Sequence, residues 1–213
     1  MTAPLQGLLA WQPVLAALFL TLACSVPHEV EPRAVLLVRG GAWSGSAVVW
    51  DASSRLVLTA LHVVEEMPQD GITVTASGRP AQSARIVDRD PELDLALLEV
   101  AGEVEAGPPL GVSASLKPGA PVEIAGCPAA RCSRRGAVVL QPSRPFAGSR
   151  YVAIGCEVRP GASGGPVLDA SGALVGIVDL ALSKERGVAL AIPVDRAATR
   201  FPRSAERVAN LVQ

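Results

Sequence analysis

Between residues 34 and 193 the chain is a succession of twelve apolar or β-branched runs of 5 to 10 residues, each closed off by turn residues. The first six are AVLLV (34–38), SAVVWD (46–51), LVLTALHVV (56–64), GITVTA (71–76), SARIVD (83–88) and LDLALLEV (93–100). Segments such as RGGAWSG and ASSR separate them, and turn chemistry between short runs is the pattern of antiparallel strands. After AGEVEAGPPLGVS, a connector rich in Gly, Pro and Glu, six more follow: PVEIAG, RGAVVLQ, YVAIGCEV, GGPVLD, ALVGIVDLAL and GVALAIP. Two series of six strands predict an all-β protein of two six-stranded antiparallel barrels, because closing each sheet on itself leaves no exposed edge. Beyond Pro193, helix-like spacing broken by Pro202 predicts a short C-terminal helix.

Composition agrees: few aromatics, much Val, Ala, Leu and Gly, and a length of 213 residues that suffices for a real core. Lys and Arg total 19 against 20 for Asp and Glu, a net charge of −1. Such a chain has no field to gather phosphates, so no nucleic acid is expected as a partner.

The N-terminus reads differently. VLAALFLTLA (14–23) has the length of a signal-peptide core and falls short of the roughly 20 apolar residues a spanning helix needs. Residues 1–23 are therefore expected to be a signal peptide, residues 24–33 a linker. Cys24 follows in TLACS, which resembles the lipobox of bacterial lipoproteins, where the cysteine is lipidated and becomes the mature N-terminus. Thr21 stands where a lipobox usually has Leu, and no Lys or Arg precedes Arg33, so a plain secretory signal or an apolar anchor stays open. Export holds under each reading: periplasm or outer membrane with a lipid on Cys24 for membrane attachment, otherwise secretion.

Three cysteines remain, Cys127, Cys132 and Cys156, so at most one disulfide forms and one thiol is left. Cys127 and Cys132 flank PAAR and suit a closed hairpin loop, whereas Cys156 lies seven residues before Ser163 and suits a brace beside that loop. The spacing leaves the pairing open. The two histidines, His28 and His62, are not at finger-like distances from the cysteines, so zinc is a poor reading. No metal or organic cofactor is expected.

Three residues carry candidate chemistry. VRPGASGGPVLD (158–169) sets Ser163 among Gly161, Gly164 and Gly165, so the backbone turns tightly and lets another molecule approach. An ordinary turn has the same composition. His62 closes an apolar run, and Asp94 sits between two leucines, where a half-buried carboxylate needs a partner. Together they supply a nucleophile, a base to take its proton and an acid to orient that base, the set required for acyl transfer. The backbone N–H groups of Gly161 and Ser163 are the candidate oxyanion donors.

LTALHVV, DLALLEV and PGASGGPVLD resemble the His, Asp and Ser motifs of the trypsin-like (chymotrypsin-fold) serine proteases, in the same order along the chain. The similarity is greatest to the bacterial HtrA/Deg branch: SGSAVVWDASSRLVLTALHVV is similar to its GSGF strand and LTNNHVV segment, and VEIAGCP and GVALAIP fall at its GNP turn and FAIP strand. It runs from residue 34 to 196. The resemblance implies a protease domain over 34–196, with barrel one about 34–106, barrel two about 116–196, and a helical tail over 197–213. It further implies a site between the barrels, His62 as general base, Asp94 as its orienting acid, Ser163 as nucleophile, and Gly161 and Ser163 as oxyanion donors.

The departures matter as well. Ala162 replaces the Asn of HtrA relatives and the Asp of trypsin-type zymogens, so activation by a new N-terminal amine is not expected. The pattern ends close to Gln213, which implies a protease domain without the PDZ module common in HtrA proteins. Cys127 stands where the GNP turn has Asn. Glu157 lies six residues before Ser163, the offset of the acid that receives Arg or Lys in trypsin-like enzymes, while HtrA relatives carry a small apolar residue there and prefer small side chains. Both preferences stay open, with Arg159 close enough in sequence to neutralise the glutamate. The expected activity is a serine endopeptidase acting on unfolded or extended polypeptide in the bacterial cell envelope. The alternative is a protease-like binding or scaffold protein without turnover. An α/β-hydrolase esterase fits poorly, since G-x-S-x-G is missing and the acid precedes the serine.

Overall fold

The structure is a computed structural model that describes residues 28–29, 35–182 and 185–204. The expected signal peptide over residues 1–23, the lipidation candidate Cys24 and most of the 197–213 tail lie outside the described residues.

Strands β1 (His28–Glu29), β2 (Leu36–Gly40), β3 (Trp43–Asp51), β4 (Leu56–Ala60), β5 (Thr73–Ala76), β6 (Gln82–Asp90) and β7 (Leu95–Val100) come first. β8 (Pro121–Gly126), β9 (Ser133–Phe146), β10 (Ser149–Gly155), β11 (Pro166–Asp169), β12 (Leu174–Ala181) and β13 (Val188–Pro193) follow. β2-β3-β4-β7-β6-β5 closes as one barrel; β9-β10-β13-β12-β11-β8 closes as a second through the β8–β9 pairing, with β1 added on β9. The protein is thus all-β, two closed six-stranded antiparallel barrels with a short C-terminal helix.

Strands in contact with both a barrel interior and the seam between barrels explain the unbroken apolar runs. In β3, Ala47 and Val49 point into the first barrel, while Val48 and Trp50 belong to a cluster shared by both barrels. β7 repeats the alternation, with Ala96 and Leu98 inside and Leu95 and Leu97 at the seam. From the second barrel, Leu174, Ile177, Leu190 and Ile192 enter the same seam, while Val175, Val178, Ala189 and Ala191 fill its interior. Each fully buried Leu or Ile there contributes about 1.5–3 kcal/mol. Trp50 Nε1 also donates to the Phe201 carbonyl at 2.7 Å, fastening the C-terminal end across the seam.

Three expectations need correction. The 56–64 run is not one strand: pairing with β7 ends at Ala60, and Leu61–Val64 forms a helical turn, α1. The Leu61 N–H still donates to the Asp94 carbonyl at 2.8 Å, in the register of the β4–β7 ladder, before the chain turns into the helix. A short apolar run satisfies strand and helix periodicity alike, which is why the break was hidden. The run at 151–158 stops as a strand at Gly155. The expected 135–141 strand is part of a strand extending from Ser133 to Phe146. The terminal helix, α2 (Val194–Arg200), starts directly after Pro193, where the spacing predicts it.

Candidate active site

α1 presents His62 at the seam, and the turn between β6 and β7 presents Asp94. Asp94 adopts φ +53°, in the left-handed region that Asp tolerates better than most residues. From there one carboxylate oxygen, Oδ1, accepts the His62 backbone N–H at 2.9 Å, and Oδ2 is hydrogen-bonded to His62 Nδ1. Two contacts to one residue fix both the entry of α1 and the ring. They also set the proton on Nδ1, which leaves Nε2 as the ring's basic nitrogen.

Ser163 lies in the loop between β10 and β11, which is built of two consecutive tight turns. The Ala162 N–H donates to Arg159 O at 3.0 Å, with Pro160 second and Gly161 third, at φ +96°. Pro then Gly of positive φ is the requirement of a type II turn. The Gly165 N–H then donates to Ala162 O at 3.0 Å, with Gly164 third at φ +82°. A Cβ on Gly164 would collide with the Ser46 carbonyl and Thr59 Oγ1, so the glycine is needed for close approach as well as for φ. The N–H groups of Ala162, Gly164 and Gly165 are engaged. Those of Gly161 and Ser163, the pair nominated for an oxyanion, meet no backbone acceptor among the described residues.

Two residues that sequence reading did not nominate hold this geometry. Ser46, fully buried in β3, donates its N–H to Ser163 O at 2.9 Å and its hydroxyl to Gly161 O at 2.6 Å, and accepts the Cys127 N–H at 2.8 Å. Asp179 lies in β12, between Val178 paired to Ala191 and Leu180 paired to Leu190, and is therefore the extra residue of a β-bulge. Bulges re-aim side chains next to functional sites. Here Asp179 is only 3% exposed, with Oδ1 3.9 Å from His62 Nδ1 and a carboxylate oxygen within 4.8 Å of one on Asp94. The Asp179 carbonyl accepts the Ser163 hydroxyl at 3.0 Å. An acid inside the apolar run LVGIVDLAL carries the same signal that singled out Asp94.

The hydrogen bond to Asp94, outweighing burial, raises the His62 pKa above its ordinary value. For Asp94 burial acts upward, but the hydrogen bonds and charge of His62 and the hydrogen bond from Asp179 hold it below the usual carboxylate value. Burial, then the hydrogen bond and charge of Asp94, push Asp179 up to about 7, against the opposing pull of His62 and Tyr151. Donor atoms of His62, Asp94 and Asp179 lie within 4.8 Å of one another. With Nδ1 already committed to Asp94, the cluster is read as one that shares protons.

Cys127 and Cys132 are joined by a disulfide, and Cys156 is a buried free thiol. The bridge closes the loop that backs the Ser163 turn: a Cβ on Gly161 would lie 3.1 Å from Cys127 O. Glu157 lines a cavity of about 640 Å³ together with Arg131, Arg135, Arg159 and Ala162. Neither His62 nor Ser163 lines it.

A double barrel with an aspartate-held histidine and a glycine-cradled serine at its seam defines the class of chymotrypsin-fold hydrolases. The chain belongs to the trypsin-like peptidase domain family, whose model matches residues 45–177. It is 34% identical over 151 residues to a probable periplasmic serine endoprotease DegP-like of Pseudomonas putida (strain W619), covering 68% of this chain and 31% of the relative. It is 32% identical over 167 residues to Protease Do-like 1, chloroplastic, of Arabidopsis thaliana, covering 71% of this chain and 37% of that protein. The chain thus spans about a third of the length of these curated relatives. The solved HtrA-type protease AlgW with tripeptide superposes with a TM-score of 0.73 at 27% identity, covering 79% of this chain and 58% of that one.

Proposed function

We propose that the protein is a serine endopeptidase of the HtrA type. His62 Nε2 takes the proton of the Ser163 hydroxyl as Oγ bonds to the substrate carbonyl carbon, while Asp94 stabilises the imidazolium formed. The N–H groups of Gly161 and Ser163 hold the resulting oxyanion. Collapse breaks the C–N bond as His62 gives its proton to the leaving amine, and water repeats the cycle in reverse to free the acid. In its resting place the Ser163 hydroxyl donates to the Asp179 carbonyl, so attack begins with a rotation about its Cα–Cβ bond.

The carrying observation is the two-point grip of Asp94 on His62, its backbone N–H and its ring Nδ1 both on one carboxylate. That grip orders the ring's tautomer, which a purely structural histidine has no need of.

The relatives include proteins named as periplasmic endoproteases. With the apolar segment at 14–23, this supports export to the cell envelope, Cys24 as a lipidated anchor and extended polypeptide as substrate. The chain's domains are taken as those of the sequence reading, 34–196 forming the protease. At the residue before the scissile bond, Val is favoured over Arg, because Glu157 shares its cavity with three arginines, Arg131, Arg135 and Arg159. Paired peptides ending in Val or Arg read this directly.

A fluorophosphonate probe is expected to label the protein at Ser163 and to leave Ser163→Ala unlabelled. An unlabelled, folded wild-type protein that still binds unfolded polypeptide would instead establish the scaffold alternative.

A further inference from the structure

Every group around Asp179 bears on its charge. His62 approaches from α1, Asp94 from the β6–β7 turn and Tyr151 from β10, while Glu65, after α1, acts on His62 and Arg196, from α2, acts on Tyr151. No Lys or Arg forms an ion pair with Asp94 or Asp179 among the described residues. Two carboxyls with oxygens within 4.8 Å of one another, one of them almost wholly buried, do not both ionise readily without a cation. Among the described residues, the cation paired with these acids is His62 itself. One proton is therefore shared by the acid pair and the imidazole: either Asp179 is a neutral acid donating to Asp94 and His62 is neutral, or Asp179 is ionised and His62 carries the proton.

We propose that Asp179 is a positioning residue whose protonation state decides whether His62 is free to act as a base: neutral, it hands a hydrogen bond to Asp94 and leaves Nε2 basic; ionised, it holds His62 as imidazolium. The inference rests on the catalytic reading of His62 given above. The bulge in β12 supplies its geometry, since the extra residue brings a carboxyl to the seam while its own carbonyl accepts the Ser163 hydroxyl. Both ends of one residue thus touch the two partners of the proton transfer. Tyr151 favours the ionised form of Asp179, opposing burial.

The test is the titration of His62 by NMR in the full protein, beside the pH profile of kcat/KM. With only two histidines in the chain, a His62→Gln spectrum assigns the signal. Asp179→Asn keeps a donor for Asp94 and removes the ionisable group. Its His62 titration is expected to fall by about one pH unit or more, since a neighbouring negative charge no longer favours the imidazolium. The acid limb of kcat/KM is expected to move by the same amount and to simplify to one ionisation. Tyr151→Phe, a change at a different site, removes the donor that favours ionised Asp179 and is expected to shift both in the same direction by less. His62 titrations that superpose for wild type, Asp179→Asn and Tyr151→Phe would overturn the proposal. So would a shift to higher pH. If fluorophosphonate fails to label the wild type, the protease reading falls, while the NMR titration still decides the role of Asp179.

Discussion

The Ser46 hydroxyl, carried by the first barrel, donates to the Gly161 carbonyl of the second at 2.6 Å and accepts the Cys127 N–H at 2.8 Å. This residue ties the oxyanion turn to the opposite barrel. With the backbone bond from Ser46 N–H to Ser163 O, it pins both peptides on which catalysis is proposed to depend. Ser46→Ala leaves a buried carbonyl and a buried N–H without their partner. We expect a stability loss of about 1–3 kcal/mol by denaturant unfolding. A fall of about tenfold or more in kcat, with KM little changed, is expected from loosened oxyanion donors. A variant with wild-type kcat would show that the turn holds its shape without the clamp.

The pH dependence of activity follows from the Asp94 grip. His62 must be neutral to take a proton, and its hydrogen bond to Asp94 raises its pKa above 6.5. The acid limb of kcat/KM is therefore expected above pH 6.5. Asp94→Asn should move this limb to lower pH and cut kcat by about 10²–10⁴, the range for loss of correct acid–base geometry. An unchanged limb would mean that Asp94 does not govern the imidazole.

Stability should respond to Asp179 with the opposite sense. Its folded pKa, raised from 3.8 to about 7, lets the native state keep a proton that the unfolded chain gives up. That contribution is complete below pH 3.8 and is lost as pH rises to about 7. Asp179→Asn removes the dependence. Its Tm relative to wild type should therefore increase between pH 4 and pH 7 in a thermal-denaturation series, and a constant difference would refute the assignment.

The Cys127–Cys132 bridge closes a loop of short span, with a sequence separation of 5. On loop-entropy grounds its reduction should cost about 2 kcal/mol or less. The larger expected effect is on turnover, because Cys127 and Pro128 back Gly161. Mild reductant should slow cleavage before it unfolds the protein; parallel loss of activity and of near-UV circular dichroism would mean the bridge serves folding alone.

Much of this architecture could be read from local pattern. Short apolar runs between turns predicted twelve strands and two barrels, because strand formation and turn chemistry are decided by residues adjacent in sequence. The Arg159–Gly165 turns were legible for the same reason: Pro160, Gly161 and Gly164 each meet a local backbone requirement. The end of β4 at Ala60 was not, since the apolar run 56–64 suits a strand and a helical turn alike. The spacing of Cys127 and Cys132 suited a bridge without excluding Cys156, and the clamp of Ser46 on Gly161 has no local signature.

The order of His62, Asp94 and Ser163 along the chain, their turn and strand settings and the family they resemble were determined by the sequence by itself. Only the tertiary structure decided that Asp179 joins them. A carboxyl's protonation is set by burial and by charges brought near through folding, and a single-residue bulge in β12 chooses which way that carboxyl faces.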